Sequence, residues 1–162
     1  YFSYGAAVTE VTVDTFTGES IVDRVDILHD VGESLNTQID LGQIEGGFIQ
    51  GMGWLTNEEL WWNNKGQLKT HAPSTYKIPL ASDRPRIFNI ELAKWSKNKE
   101  RTIKRSKAVG EPPFMLAISV HEALSMAASY SLTNKVRPTL NSPATSEKIL
   151  GCIESARTKS LG

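Results

Sequence analysis

Cysteine is almost absent: Cys152 is the one thiol in 162 residues. An internal disulfide is therefore excluded, and this usage fits a reducing, cytoplasmic setting. An excess of either charge is absent too. Lys and Arg total 18, Asp and Glu total 18, and the net charge is zero. Nucleic-acid binding leaves a basic footprint, so no nucleic-acid partner is expected. The one basic run, Lys94 to Lys107, is interrupted by Trp95, Glu100 and Ile103 and reads as a solvated loop. There is no apolar run of membrane-spanning length and no leader pattern, so no membrane partner is expected. His29, His71 and His121 show no HxxxH spacing and have no cysteine partner. A side-chain metal site is not expected from them. GxSxG, P-loop and GxGxxG stretches are also missing. The first residue is Tyr1 rather than Met, and the chain enters Ala6-Ala7-Val8 almost at once. It is expected to be a piece of a longer polypeptide, large enough for one domain with a real core.

Glycine, by contrast, is abundant where it should be scarce. Asp40 to Trp54 holds Gly42, Gly46, Gly47, Gly51 and Gly53. The surrounding Ile39, Ile44, Phe48, Met52, Leu55 and Leu60 keep a helical apolar rhythm. Each helical glycine costs about 1 kcal/mol against alanine, so five cost about 5 kcal/mol, comparable to the stability of a small domain. Bare backbone must be needed there, either for close packing of another element or for approach of a ligand. Asp40, Glu45, Glu58 and Glu59 argue against a membrane GxxxG helix.

The chain order suggests an α+β fold. Tyr4–Asp14 and Ile21–His29 alternate as strands around the Thr15–Glu19 turn and should pair as an antiparallel hairpin. Asn36 suits the N-cap of the glycine-rich helix, which is expected to run to about Trp61. Asn63-Asn64-Lys65-Gly66 is a turn, Gln67–Thr70 a short strand, and Pro73 and Pro79 keep 71–80 an extended loop. Ile87–Leu92 alternates as a strand, and another is expected at Thr102–Ser106. Phe114–Tyr130 is nearly all apolar or small and reads as a buried helix, with Pro112 or Pro113 in its first turn. Ser142–Glu147 announces a last helix reaching about Glu154. The expected architecture is an antiparallel sheet with the glycine-rich helix and the second buried helix packed on one side. The domain is expected to span 1–157, with 158–162 expected as a disordered tail.

Among ionisable groups Glu111 stands out, set between Gly110 and Pro112-Pro113 at the start of a buried helix. A carboxylate there is either a general base on a stiff support or an acid that only complements the helix dipole. Gln43 and Gln50 are seven residues apart on one helix face, either reaching a polar ligand or facing solvent. His121 reads as a hydrogen-bonded core residue and His29 as a strand end. Cys152 reads as a small core or surface residue. Trp54, Trp61, Trp62 and Trp95 fit core or interface positions better than nucleic-acid stacking.

Three blocks carry a resemblance. The first is Tyr1-Phe2-Ser3-Tyr4-Gly5-Ala6-Ala7 with its hairpin. The second joins Asp30-Val31-Gly32 and Asn36 to Asp40 and Gly42-Gln43-Ile44-Glu45-Gly46-Gly47-Phe48-Ile49-Gln50-Gly51-Met52-Gly53. The third joins Pro73-Ser74-Thr75-Tyr76-Lys77-Ile78-Pro79 to Ser106-Lys107-Ala108-Val109-Gly110-Glu111-Pro112-Pro113, and Ser142-Pro143-Ala144-Thr145 follows. In this order they resemble the C-terminal part of the molybdenum-binding portion of the xanthine dehydrogenase/aldehyde oxidase family. The Gly-Glu-Pro-Pro ending is more similar to the xanthine dehydrogenase branch than to the aldehyde-oxidising one. One departure is Asn36-Thr37, where the family often has Asn-Pro.

The resemblance implies a molybdenum-molybdopterin cofactor and hydroxylation of a purine such as hypoxanthine or xanthine with water-derived oxygen. Glu111 matches the family's base on the molybdenum-held hydroxyl. Gln43, with Gly42, would lie near the cofactor, and the backbone at Ala108, Val109 and Gly110 would line it. The resemblance further implies 2Fe-2S clusters and FAD elsewhere, NAD as acceptor, and a homodimer of the complete enzyme. The family's substrate-orienting glutamate, arginine and phenylalanines lie upstream of the matched region. This chain is therefore expected to be inactive alone. The remaining alternatives are an aldehyde or other N-heterocycle oxidoreductase of the same family and a non-catalytic scaffold.

Overall fold

The computed structural model describes residues 1–130 and 138–159. Strand β1 (Gly5–Val13) and strand β2 (Ser20–His29) form the expected antiparallel hairpin, from Gly5 opposite His29 to Val13 opposite Ser20. A bulge lies at Glu10/Val11. Strand β3 (Ile87–Leu92) falls where the alternation placed it but pairs with β2 in parallel, Arg24 opposite Ile87 through His29 opposite Leu92. The sheet is therefore mixed, in the order β1-β2-β3, rather than antiparallel. The cause is the connection. A parallel partner needs a long crossover, and the segment between β2 and β3 carries a whole helix.

That helix is α1 (Thr37–Thr56). Asn36 caps it as expected, its side-chain oxygen accepting from the Gln38 and Ile39 backbone N–H groups at 3.1 and 3.3 Å. The helix stops at Thr56 rather than near Trp61. Beyond it the chain turns back on itself: Trp62 bridges Leu68, and the Asn63 side chain accepts from the Lys65 and Gln67 N–H groups. The expected strand at Gln67–Thr70 is reduced to that bridge. Thr102–Ser106 is likewise no strand. It holds a 3-10 turn, Ile103–Arg105, in which Lys104 and Arg105 both have positive φ.

The Phe114–Tyr130 region, expected as a buried helix, divides into a 3-10 segment, Pro112–Ala117, and helix α2 (Ile118–Tyr130), with only one stripe buried and Met115, Ile118, Met126 and Tyr130 exposed. Helix α3 (Ser146–Lys159) runs past the expected end near Glu154 and into the stretch expected as tail, of which 160–162 lie outside the described residues. Ile44, Phe48 and Met52 of α1 and Val120, Leu124 and Ala128 of α2 recur every fourth residue, which puts each set on one stripe. They meet Val25 and Ile27 of β2 and Ile149, Cys152 and Ile153 of α3 in a single core. Burial pushes the Cys152 thiol up, so it is an apolar filler. Both α1 and α2 lie on the sheet face of Ala7, Val11, Val25 and Ile27, as expected, while Val8 and Leu28 on the other face are exposed.

Candidate functional site

The five glycines of α1 do two different jobs. Gly47 and Gly51 are buried against the 110–114 segment. A Cβ on Gly47 would lie 2.8 Å from the Gly110 carbonyl oxygen, and one on Gly51 would collide with the Phe114 carbonyl oxygen. Gly53 is filled by the Pro79 ring. These three let other chain segments touch the helix backbone directly. Gly42 and Gly46 are exposed, and a Cβ at either would meet nothing within 4 Å. No packing among the described residues accounts for them.

Gln43 and Gly47, the neighbours of Gly42 and Gly46 in the chain, face the segment Ala108-Val109-Gly110-Glu111. The Gln43 side chain reaches it, its oxygen 3.3 Å from the place a Gly110 Cβ would occupy. Gln43, Ala108, Gly110 and Glu111 are exposed, and Val109 packs partly against the core. Glu111 precedes the 3-10 segment. Its carbonyl accepts from the Phe114 N–H at 2.9 Å, but its side chain makes no capping bond. The carboxylate is thus presented rather than used as a cap. Gln50 lies further along and lines a groove with Gly46, Trp54, Tyr76 and Phe114.

Immediately before 108–111 lies a buried ion pair that sequence reasoning missed. Lys107 Nζ donates to Asp30 Oδ2 at 2.5 Å, with side-chain exposures of 5% and 0%. Asp30 Oδ1 accepts from the Gly32 N–H at 2.8 Å, and Lys107 also donates to the Phe2 carbonyl at 2.9 Å. Its ammonium stands 5.4 Å from the centre of the Tyr4 ring. Burial pushes the Asp30 carboxyl up. The hydrogen bonds from Lys107, Ser96 and the Gly32 N–H, with the Lys107 charge, outweigh this and hold it below the usual carboxylate range. Around the pair the backbones are laced: Lys107 N–H to Val31 O, Glu33 N–H to Arg105 O, and Gly32 bridged to Ser106. Gly32 has φ +62, and a Cβ there would run into the Arg105 carbonyl. Removing one member of a buried pair costs about 3–5 kcal/mol. Both residues lie in motifs quoted above, but they are 77 positions apart and no local pattern joins them.

Two histidines lie away from this wall. His29 ends β2 as expected and is buried, with Nδ1 unpartnered among the described residues. Burial pushes its imidazole down, partly opposed by Asp30. His121 is half-buried in α2, and its Nε2 has no hydrogen-bond partner among the described residues, contrary to the hydrogen-bonded role expected of it.

Open Gly42, the Gln43 amide near Gly110 and the exposed Ala108, Gly110 and Glu111 make a candidate wall for a ligand, and no group of side chains able to hold a metal ion occurs among the described residues. The family model described as the molybdopterin cofactor-binding domain matches residues 1–85. The chain is 46% identical over 164 residues to the xanthine dehydrogenase/oxidase of Rattus norvegicus, covering 98% of this chain and 12% of the relative. It is 47% identical over 127 residues to a probable aldehyde oxidase 2 of Oryza sativa subsp. japonica, covering 78% and 9%. Among solved structures, quinoline 2-oxidoreductase from Pseudomonas putida 86 superposes with a TM-score of 0.79 at 26% identity, covering 90% of this chain and 18% of that one. The chain belongs to the molybdopterin cofactor-binding domain family, in its xanthine dehydrogenase/aldehyde oxidase group. It spans about an eighth of the length of the xanthine dehydrogenase relative.

The residues fit that cofactor on their own terms. Gly42 and Gly46 leave open space where a side chain would stand, and Ala108 and Gly110, the latter met by Gln43 of the same helix, are exposed.

Proposed function

We propose that this chain is the part of a xanthine dehydrogenase-type molybdenum hydroxylase that carries the catalytic base, Glu111. The observation that carries this reading is that Ala108, Gly110 and Glu111 are exposed next to the Gln43 amide of the glycine-rich helix α1. Gln43 would hold a polar edge of the cofactor, Gly42 would admit it to the helix backbone, and Ala108, Val109 and Gly110 would line it. When bound, the molybdenum cofactor would supply two-electron oxidation with oxygen derived from water. The Glu111 carboxylate would accept the proton released at the reacting oxygen. Its support is stiff, because Pro112 and Pro113 follow it and the Gly47 backbone abuts Gly110.

The test is Glu111→Gln in the complete enzyme. A positioned general base contributes about 10²–10⁴ in rate. Turnover is expected to fall by at least that much, with molybdenum content unchanged. Loss of molybdenum with normal turnover per bound metal would make Glu111 a structural residue. Xanthine or hypoxanthine is the proposed substrate, supported by the Gly110-Glu111-Pro112-Pro113 ending. The aldehyde oxidase relative and the quinoline enzyme support an aldehyde or another N-heterocycle as the second reading. Comparing kcat/KM for the three classes in the complete enzyme separates them. The same proposal places 2Fe-2S clusters and FAD elsewhere in that enzyme, with NAD as acceptor, a homodimeric assembly and a cytoplasmic location. Among the described residues no helix is long and apolar enough to cross a membrane.

A further inference from the structure

We infer that Asp30 and Lys107 are positioning residues that set the cofactor-facing wall, acting together with the Tyr1–Tyr4 segment as its outer clamp. The inference rests on the assignment of Ala108–Glu111 to that wall. Lys107 is the residue immediately before the wall, and its ammonium has three fixed attachments from three parts of the chain. They are the Asp30 carboxylate from the end of β2, the Phe2 carbonyl from the first residues, and the Ser96 hydroxyl at 3.5 Å from the loop after β3. The Asp30 and Phe2 contacts are short, and the Ser96 contact is the weakest of the three. The residue after it is held from the same side, since the Ala108 N–H donates to the Tyr1 hydroxyl at 3.1 Å. The first residues are themselves tied to Asp30. Ser3 Oγ donates to the Asp30 carbonyl at 2.8 Å, and the Asp30 N–H donates to the Tyr4 carbonyl at 2.8 Å.

From α1, Gly47 meets the Gly110 carbonyl and the Gln43 side-chain oxygen lies near Gly110. The wall is thus gripped at both ends of a short run, by the ion pair before it and by α1 behind it. A buried pair is a poor general stabiliser, because its desolvation offsets most of its attraction. It is a good device for fixing geometry, because charged hydrogen bonds are short and directional. Partners that orient metal-ligating side chains change affinity or activity by about 10–100-fold when lost, and the same order is expected for groups that line the cofactor. Nothing about Asp30 or Lys107 requires them to touch cofactor or substrate.

The experiment uses the complete enzyme with Lys107→Met, Lys107→Arg, the double variant Asp30→Asn/Lys107→Met, and Glu111→Gln alongside. Hydrogen–deuterium exchange of peptides covering 104–114 reports the wall directly. Turnover per bound molybdenum reports its consequence. Lys107→Met is expected to speed exchange there by about tenfold or more and to lower kcat about 10–100-fold, with a smaller change in KM. The double variant removes both buried charges and so keeps the fold even if the single one does not. It should still exchange fast, whereas Lys107→Arg should restore most of the protection. Unchanged exchange over 104–114 and unchanged kcat per molybdenum in the double variant, whatever happens to Tm, would overturn the inference. Glu111→Gln should leave exchange as in the parent. If that variant keeps full turnover, the assignment of the base fails while the exchange results still decide the role of the pair.

Discussion

A single methyl group separates the two kinds of glycine in α1. At Gly51 it would meet the Phe114 carbonyl, and at Gly42 it would meet open space. Gly51→Ala should therefore destabilise the chain by about 1–3 kcal/mol, the usual cost of overpacking. Gly42→Ala should stabilise the same chain by about 0.5–1 kcal/mol, by removing a helical glycine. Denaturant midpoints measured on this chain check both signs. In the complete enzyme Gly42→Ala should instead lower molybdenum content, because the added methyl stands where cofactor is proposed to approach. A neutral effect there would return Gly42 to solvent. Glu111 and Gln43 could be singled out in the sequence because their neighbours are unusual: prolines after one, glycines around the other. Asp30 and Lys107 could not. Each is an ordinary charged residue until the fold brings them together, and burial is a property of the fold rather than of either neighbourhood.

At the scale of elements, the legible parts were those with a strong local rhythm. The spacing of Ile44, Phe48 and Met52 is enough to draw the buried stripe of α1, and Asn36 is enough to start it. Ile87–Leu92 is drawn by alternation alone. Alternation does not reveal the direction of a strand's partner, however, so the parallel pairing of β2 and β3 was not legible. Nor was the end of α1, where Leu60 and Trp61 continue an apolar rhythm. The turn at Asn63–Gly66 and the Trp62–Leu68 bridge win there, leaving Leu60, Trp61 and Trp62 exposed. The 3-10 winding of Pro112–Ala117 was also hidden. This segment must lie backbone-to-backbone on α1, and its tightness is a tertiary demand. Because α1 and this segment meet through Gly47 and Gly51, a double substitution to alanine should cost less than the sum of the singles, once the first methyl has pushed the two apart. A double-mutant cycle on denaturant midpoints measures that coupling.

For the whole molecule, acid acts on two buried groups with the same sign. His29 lies below its ordinary value of 6.5 in the folded state, and Asp30 below its ordinary value of 3.8. In each case the unfolded chain takes up the proton first, so stability rises with pH. The His29 contribution is complete above 6.5 and is lost as pH falls from there towards its folded value. The Asp30 contribution is complete above 3.8 and is lost as pH falls through its folded value. Urea midpoints of the chain should therefore fall between about pH 8 and about pH 5, and His29→Gln should flatten that interval. Large apolar groups including Phe2, Trp54, Trp61, Trp62, Trp95 and Ile103 are exposed at the same time. Such surface drives association. The isolated chain should self-associate at rising concentration in analytical ultracentrifugation, and it should neither retain molybdenum cofactor tightly nor oxidise purine.

The contact between Gly47 and the Gly110 carbonyl has one more consequence. Side chains hop between rotamers, so a spacing set by side-chain packing carries their thermal noise. Here the helix that bears Gln43 and the turn that bears Glu111 are spaced by main chain against main chain. That spacing has no rotamer to change and little room to breathe. Warming the protein should loosen the side chains around the wall well before it alters the separation of the amide from the carboxylate-bearing turn.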